Sequence, residues 1–393
     1  MKIGILTFHR PCNFGANLQA YSNCRYFASL GHEVKVIDYT RPSDASYKNS
    51  ISEEQQKAHT IFVARELPLT KNVTTAEGIA DVVLSEGFDL IVVGADAVWR
   101  SPKDKGVFFG SWLFNYERLK DIPIVALSAA HMGHGFGDLS EEQSEQIKGY
   151  LKRFKYASVR DVWTQSMVNN TLFGGESYIK NISPDPVFML NGFVDKEWIN
   201  NGVPSKGYYL MTLKNNWADG KMGKLKKIWF RRFKKIINEA GYLLVELPLP
   251  EGVSGMKFDV TVPYPIDPLQ WYLWIKNAKA FCGLRFHAIV SSISAGTPFY
   301  SVDNYGSCTP KKAVLNLLGA YAKARQDDET SKIMNLLRGS GFEKNRVDGF
   351  VETINPHYLF KLLEHTDINK IISFRDSEIK VYQKSVQEAF VRL

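Results

Sequence analysis

The sequence predicts an α/β protein of two Rossmann-like, doubly wound domains that face each other across a cleft. Three observations predict it. Short apolar runs that read as buried strands alternate with helical segments through both halves of the chain. The first strand–helix–strand unit takes residues 2–39, a span that fits a right-handed crossover and hence a parallel sheet. Between residues 191 and 206 the composition shifts to Gly, Asn, Pro and Lys, which sets a linker between the halves. The domains are then 1–195 and 205–355, followed by a helical tail over 356–393 that packs back on the first domain.

Each element has a local reason. KIGILTF (2–8) is an apolar run that reads as a buried first strand, not as a signal peptide, because no long apolar region or small-residue cleavage site follows. A helix over 16–30 stops at Gly31 and His32, and EVKVIDY (33–39) alternates as a strand. FDLIVVGAD (88–96) and IPIVALSAA (122–130) are buried strands; the glycine-rich HMGHGFG follows the second. Ser140 caps a helix with Glu and Gln in its first turns, KYASVRD (155–161) is a short strand running into the next helix, and SPDPVFML (183–190) closes the series. In the second half YYLMTL (208–213), GYLLVELPL (241–249), AKAFCGL (278–284) and TPFYSVD (297–303) are strands. The helices between them cover 225–240, 267–277 and 286–296; a further one starts at Thr309 with Pro310 in its first turn.

Composition narrows the function. The 393 residues are 45% hydrophobic and 23% charged, enough apolar surface to exclude a disordered chain. No apolar run approaches the ~20 residues of a membrane span, so a cytoplasmic protein is expected, at the inner face of the membrane. The four cysteines are scattered without a C-x-x-C, and the eight histidines form no H-E-x-x-H, so neither a disulfide framework nor a metal is expected. A net charge of +8 fits an anionic small molecule, a membrane surface or nucleic acid.

In open parallel sheets ligands bind beyond the C-terminal strand ends, so the loops after strands carry the candidates. HRPCNFGAN (9–17) offers Asn13 and Asn17 as amide donors and Gly15 for close backbone approach at a helix N-terminus, where free N–H groups favour anions; a simple helix cap is the equal alternative. GADAVWR (94–100) offers Asp96 to orient a sugar hydroxyl and Trp99 to stack on a sugar face, against a capping Asp and a core Trp. Ser128 ends its strand ahead of His131 and His134, which read as solvated loop histidines more readily than catalytic ones. Arg160 closes an apolar strand, where it either pairs with an acid or faces an anionic ligand. Arg285 and His287, flanking Phe286 at a strand-to-helix junction, are the most informative pair: a bidentate cation and a proton donor at a helix N-terminus suit a phosphate or carboxylate. Asp185 and Asp303 sit near turns and read equally as turn formers.

NFGANLQAY (13–21) followed by LGHEVKVIDY, GADAVWR (94–100), SVRD (158–161), PDPVF (184–188) and GLRFHAIVSSISAGTPFYSVD (283–303) together resemble, in order, the polysaccharide pyruvyl transferase family. Ala95 and Ala97 stand where that family commonly has Ser and Gln, and Asn17 where it has a small apolar residue. The resemblance implies a GT-B-like fold and phosphoenolpyruvate as donor substrate, with no separate cofactor. The group is placed as a pyruvate ketal on a saccharide acceptor of a surface polysaccharide or its precursor, which can be lipid-linked. It also implies that Arg160, Arg285 and Phe286 bind the donor and that His287 transfers a proton, with Asp96 first choice as base. Two rivals stand beside it: a GT-B glycosyltransferase with a nucleotide-sugar donor, which needs an acidic ribose partner such as Glu246 or Asp303, and a non-catalytic sugar- or anion-binding relative.

Much of the charge surplus lies in KMGKLKKIWFRRFKK (221–235), which holds eight Lys or Arg. As a helix it places Leu225, Ile228, Trp229, Phe233 and Ile236 on one arc and Lys227, Arg231, Lys234 and Lys235 on the other. The plain reading is a core helix with a solvated basic face; the sharper one is peripheral membrane contact through 224–237. Nucleic acid is the weakest, since no aromatic-interleaved platform or binding motif is visible.

Overall fold

KIGIL forms β1 (Lys2–Leu6), buried from Ile3 onward, at the centre of the first of two parallel sheets. The structure is a computed structural model and describes residues 1–40, 50–99, 117–131, 139–194, 203–220, 222–303, 331–348 and 350–393. The sequence-read helix from Thr309, His134 and part of the linker lie outside these residues. The chain divides into two units: Met1–Ser50, Gln56–Met189 and Ser377–Leu393 form the first, Ile51–Gln55 and Leu190–Asp376 the second.

In the first unit β1 is joined by β2 (Glu33–Val36), β3 (Leu90–Val93), β4 (Ile124–Ala129), β5 (Tyr156–Val159) and β6 (Asn181–Ile182) in the order β2-β1-β3-β4-β5-β6. Every pairing is parallel. α1 (Phe14–Ser29) makes the first crossover, with Asn13 accepting from the Gly15 and Ala16 amides at its start. α2 (Glu53–Glu66) and α3 (Ala76–Glu86) precede β3, α4 (Glu141–Leu151) precedes β5, and α5 (Val162–Ser166) follows β5. Ser140 and Gln143 close a capping box on α4, as their spacing predicts.

The edge beyond β2 is not bare. Residues 69 and 73 make parallel bridges to Val36 and Tyr39. The Val36 amide donates to the Pro68 carbonyl at 2.8 Å, and the Thr70 amide donates back to the Val36 carbonyl at 3.0 Å. This stretch occupies the place of a third strand in the Rossmann order 3-2-1-4-5-6. Pro68, which lacks an amide donor, is confined to such an edge position.

The second unit holds β7 (Tyr208–Thr212), β8 (Leu243–Glu246), β9 (Val260–Thr261), β10 (Ala280–Gly283), β11 (Phe299–Asp303) and β12 (Arg346–Asp348). Their order, β12-β11-β10-β7-β8-β9, is all parallel and is the Rossmann order outright. α6 (Gly223–Glu239), α7 (Pro268–Asn277), α8 (Phe286–Ala295), α9 (Lys332–Leu337) and α10 (Pro356–Glu364) belong to it. α7 starts as its sequence predicts, with Asp267 capping two amides ahead of Pro268. The long α11 (Ile368–Val391) begins in the second unit and ends in the first, where Tyr382 donates to Asn23 and Phe390 stacks on Phe27.

Each unit has its own core. Leu6, Ile91, Val93, Trp99, Ile124 and Val159 anchor the first; Met211, Trp229, Phe230, Phe233, Leu244 and Tyr300 anchor the second. Each such side chain contributes about 1.5–3 kcal/mol through burial.

One partly buried acid, Glu378, sets a pH dependence. Burial pushes the Glu378 carboxyl up to about 7. The unfolded chain releases this proton near pH 4.3 while the folded chain keeps it to about 7, so stability falls as pH rises through that window. Glu378→Gln removes the penalty. Its melting temperature, read by calorimetry, is expected to match the wild type near about pH 5 and to exceed it by a few degrees near about pH 8. Parallel curves for the two proteins would refute this.

Candidate functional site

The strand order reverses between β1 and β3 in the first unit and between β7 and β10 in the second, and crevices form at such switch points. Among the described residues, four that are not glycine hold a left-handed φ: Asp96, Ser128, Asn216 and Arg285. All four lie at or just beyond the C-terminal ends of β3, β4, β7 and β10. A left-handed non-glycine residue costs about 1–3 kcal/mol and persists where the surroundings enforce it, as at ligand clamps.

In the first unit Gly94 and Asp96 shape the turn after β3. A Cβ on Gly94 would lie 2.0 Å from the Leu127 carbonyl oxygen, so only glycine fits against β4. Asp96 thereby reaches Arg160 at the end of β5. The Arg160 Nη1 donates to Asp96 Oδ1 at 3.2 Å and to Asp185 Oδ2 at 3.0 Å, with its side chain only 4% exposed. The Asp185 side chain is fully buried, and its Oδ1 also accepts from the Val187 amide. The guanidinium is therefore engaged inside the protein, the alternative that the sequence left open. Asp161, the nearest acid in sequence, instead caps α5 through the Thr164 amide.

The same end of the sheet carries a cluster that sequence reasoning missed. His9 faces the Thr7 carbonyl at 3.0 Å and Asp38 Oδ1 at 2.9 Å, and Arg10 adds Nε to the same oxygen at 2.7 Å and Nη2 to the other. A carbonyl and a carboxylate only accept, so whichever ring nitrogen of His9 carries hydrogen donates to one of them. Burial pushes the Asp38 carboxyl up, but the bonds from His9 and Arg10 outweigh it and hold Asp38 well below the usual carboxylate range. A visible signal existed: His9-Arg10 after one strand, Asp38 at the end of its neighbour.

Several candidates are buried or hold internal partners. Asn13 caps α1. Asn17 is buried, donates to the His9 carbonyl at 2.7 Å and accepts from His59 at 2.6 Å, so its amide serves the interior and not a ligand. Gly15 is buried in the first turn of α1. Trp99 lies wholly in the core beside Phe154, which rules out stacking on a sugar in this structure. Ser128 is buried among Ser183, Ser158 and the Pro184 carbonyl, bonds that hold β4 to β5 and to the chain after β6. His131 is buried as well, its ring 5.6 Å from that of Trp163, where a solvated loop was expected.

The second unit keeps its candidates at an opening. A Cβ on Gly283 would lie 2.7 Å from the Thr212 carbonyl oxygen, so β10 and β7 run unusually close at this end. Leu284 and Arg285 then turn the chain into α8, with Arg285 at φ +84°. Arg285 does not cap the helix with its side chain; it reaches Glu251 at 2.5 Å, with 46% of the side chain exposed. An exposed pair of this kind contributes about 0–1 kcal/mol, so a better anion can displace Glu251. Beside it opens a cavity of about 270 Å³ lined by Lys214, Leu249, Leu284, Arg285, Phe286 and Asp303 among others. Phe286 is buried, and the partly buried His287, in the first turn of α8, meets its ring edge-on at 5.2 Å. Lys214, not singled out from the sequence, is a second cation on this lining.

Both acids that could serve a ribose are engaged internally. Glu246 Oε1 accepts from the Ser254 amide at 2.6 Å and hydroxyl at 2.5 Å, and Oε2 from Thr261. Asp303 accepts from Ser331 at 2.5 Å and Arg346 at 3.1 Å. Among the described residues no group of three or more His, Cys, Asp or Glu is set to hold a metal ion.

Comparison with known proteins agrees with this anatomy. The model of the polysaccharide pyruvyl transferase family matches residues 13–306. No curated protein matches in sequence. Among solved structures, UDP-GlcNAc 2-epimerase from Methanocaldococcus jannaschii superposes with a TM-score of 0.51 at 12% identity, covering 98% of this chain and 100% of the other. The glycosyltransferase SnogD from Streptomyces nogalater superposes with a TM-score of 0.49 at 12% identity, covering 100% of this chain and 99% of the other. At such identity the likeness to the epimerase is one of fold: two Rossmann-like units of GT-B type.

Proposed function

The chain belongs to the polysaccharide pyruvyl transferase family, and from that premise we propose that it moves the enolpyruvyl group of phosphoenolpyruvate onto a saccharide as a ketal, releasing phosphate. The acceptor is a sugar of a cell-surface polysaccharide or its precursor, carried on a lipid and met in the cytoplasm at the inner face of the membrane.

The observation that carries this reading is Arg285: a strained, half-exposed guanidinium on an exchangeable partner, at the mouth of a cavity at the switch point of the second sheet. Phosphoenolpyruvate is compact and polyanionic, and a bidentate guanidinium with Lys214 beside it suits both its phosphate and its carboxylate. His287 protonates the vinyl CH2, which makes C2 cationic. A sugar hydroxyl attacks C2, phosphate leaves with the electrons of its C–O bond, and a second hydroxyl closes the ring. One hydroxyl proton restores His287 and the other leaves with phosphate. Asp96, paired with Arg160 at 3.2 Å, is the first candidate to take up the second hydroxyl proton and pass it to the departing phosphate. The chemistry calls for no separate cofactor, since the cationic side chains neutralise the departing phosphate.

The nucleotide-sugar rival is weakened by Glu246 and Asp303, whose carboxylates already serve internal donors. Thermal shift separates the two. Phosphoenolpyruvate is expected to raise the melting temperature, UDP- and GDP-sugars are not, and Arg285→Ala is expected to abolish the shift. Stabilisation by nucleotide-sugars alone would overturn the reading; donor binding with no phosphate release on any acceptor would favour a non-catalytic relative.

A further inference from the structure

The basic helix α6 presents two unlike faces. Trp229, Phe230, Phe233 and Ile237 are buried and pack into the core of the second unit. Two of its lysines also turn to the protein: Lys226 donates to the Trp217 carbonyl at 2.9 Å, and Lys234 pairs with Asp259 at 2.9 Å. The outer face keeps Lys224, Lys227, Arg231, Arg232 and Lys235, all exposed. Its only acid is Glu239, an exposed partner of Lys235 at 3.6 Å.

Set into this cationic face are two large aliphatic side chains, Leu225 at 43% and Ile228 at 46% exposure. They stand three residues apart, one above the other on the helix surface. A solitary exposed aliphatic residue needs no explanation. A pair of them ringed by cations is the pattern of a helix that lies in a membrane interface, apolar tips among the acyl chains and cations on anionic headgroups. Their place along the helix adds a direction. α6 follows β7, so its first two turns, which carry both residues, lie at the C-terminal end of the sheet, the end at which Lys214 and Arg285 line the cavity.

We propose that α6 docks the protein on an anionic lipid bilayer, with Leu225 and Ile228 inserted and the mouth of the second-unit cavity held near the headgroups. Only the benefit to a lipid-carried acceptor rests on the proposed reaction; the docking stands on the helix itself.

The test is flotation of the full chain with vesicles of phosphatidylcholine alone and of phosphatidylcholine mixed with phosphatidylglycerol, at low and high salt. The chain is expected to float with the anionic vesicles and not the neutral ones. Lys227→Glu/Arg231→Glu/Lys235→Glu is expected to weaken this at least about tenfold. Leu225→Ser/Ile228→Ser is expected to abolish the part that survives high salt, where screening removes the exposed charges' share. All five positions are exposed, so melting temperatures should match the wild type and report folding independently. No preference for anionic vesicles, undiminished binding by the triple variant, or binding that ignores Leu225 and Ile228 and is matched by a soluble polyanion such as heparin would each overturn the proposal. Phosphate release from phosphoenolpyruvate with a soluble saccharide is expected to be unchanged in both variants, so loss of docking and loss of the proposed reaction are separate results.

Discussion

Arg160→Ala is expected to destabilise the first unit by about 3–5 kcal/mol, a large fraction of the roughly 5–15 kcal/mol that ordinarily holds a fold. The side chain is 4% exposed and its Nη1 lies between Asp96 and Asp185, the latter fully buried. Removing the cation leaves two carboxylates close together with no compensating charge, in a setting where each is costly to desolvate. Combining Arg160→Ala with Asp96→Asn and Asp185→Asn is expected to recover part of the loss, because neutral amides no longer repel. Urea denaturation of the single and triple variants measures both effects. Should Arg160→Ala melt like the wild type yet no longer respond to phosphoenolpyruvate, the guanidinium would belong to the ligand and not to the fold.

His287→Ala is expected to lower the turnover number by about 10²–10⁴-fold, the usual range for loss of a general acid, while the thermal shift given by phosphoenolpyruvate persists. The split follows from the placement of the two side chains. Arg285 lines the cavity and, in the proposed reaction, carries the charge that attracts the donor; His287 stands in the first turn of α8 with its ring against Phe286. A group that acts only as protonation begins contributes to the transition state and little to the ground state. Retained turnover in His287→Ala would remove it from the acid role, and a lost thermal shift would make it a binding residue. Arg160→Ala and Arg285→Ala together sort the two arginines. The exposed pair of Arg285 with Glu251 can open for a ligand, whereas the buried pairs of Arg160 cannot open without leaving charge behind.

Not every element of the first unit is equally legible in the sequence. α2 and α3 precede β3 but were not anticipated, although Thr75 caps α3 and Gly87 ends it in the left-handed conformation, both ordinary signals. α2 is harder, because its apolar residues do not gather into one stripe. The edge stretch at 69–73 has no alternation at all and is held by only a few backbone bonds to the end of β2 and the residues after it.

What the sequence determined by itself was whatever depends on neighbours a few residues apart. The apolar runs of β1, β3 and β4, the caps of α4 and α7, the crossover that makes the first sheet parallel, and the junction that puts Arg285 and His287 at the start of α8 are all of this kind. Only the tertiary structure decided which charges meet. Arg160 finds its partners 64 and 25 residues away, His9 finds Asp38 at 29, and Asn17 finds His59 at 42. Such pairings are set by which strands lie side by side and where each ends, a property of strand order and not of local pattern. Hence a strand-end arginine looks the same in sequence whether it grips a ligand or an internal acid, and burial alone separates Arg160 from Arg285.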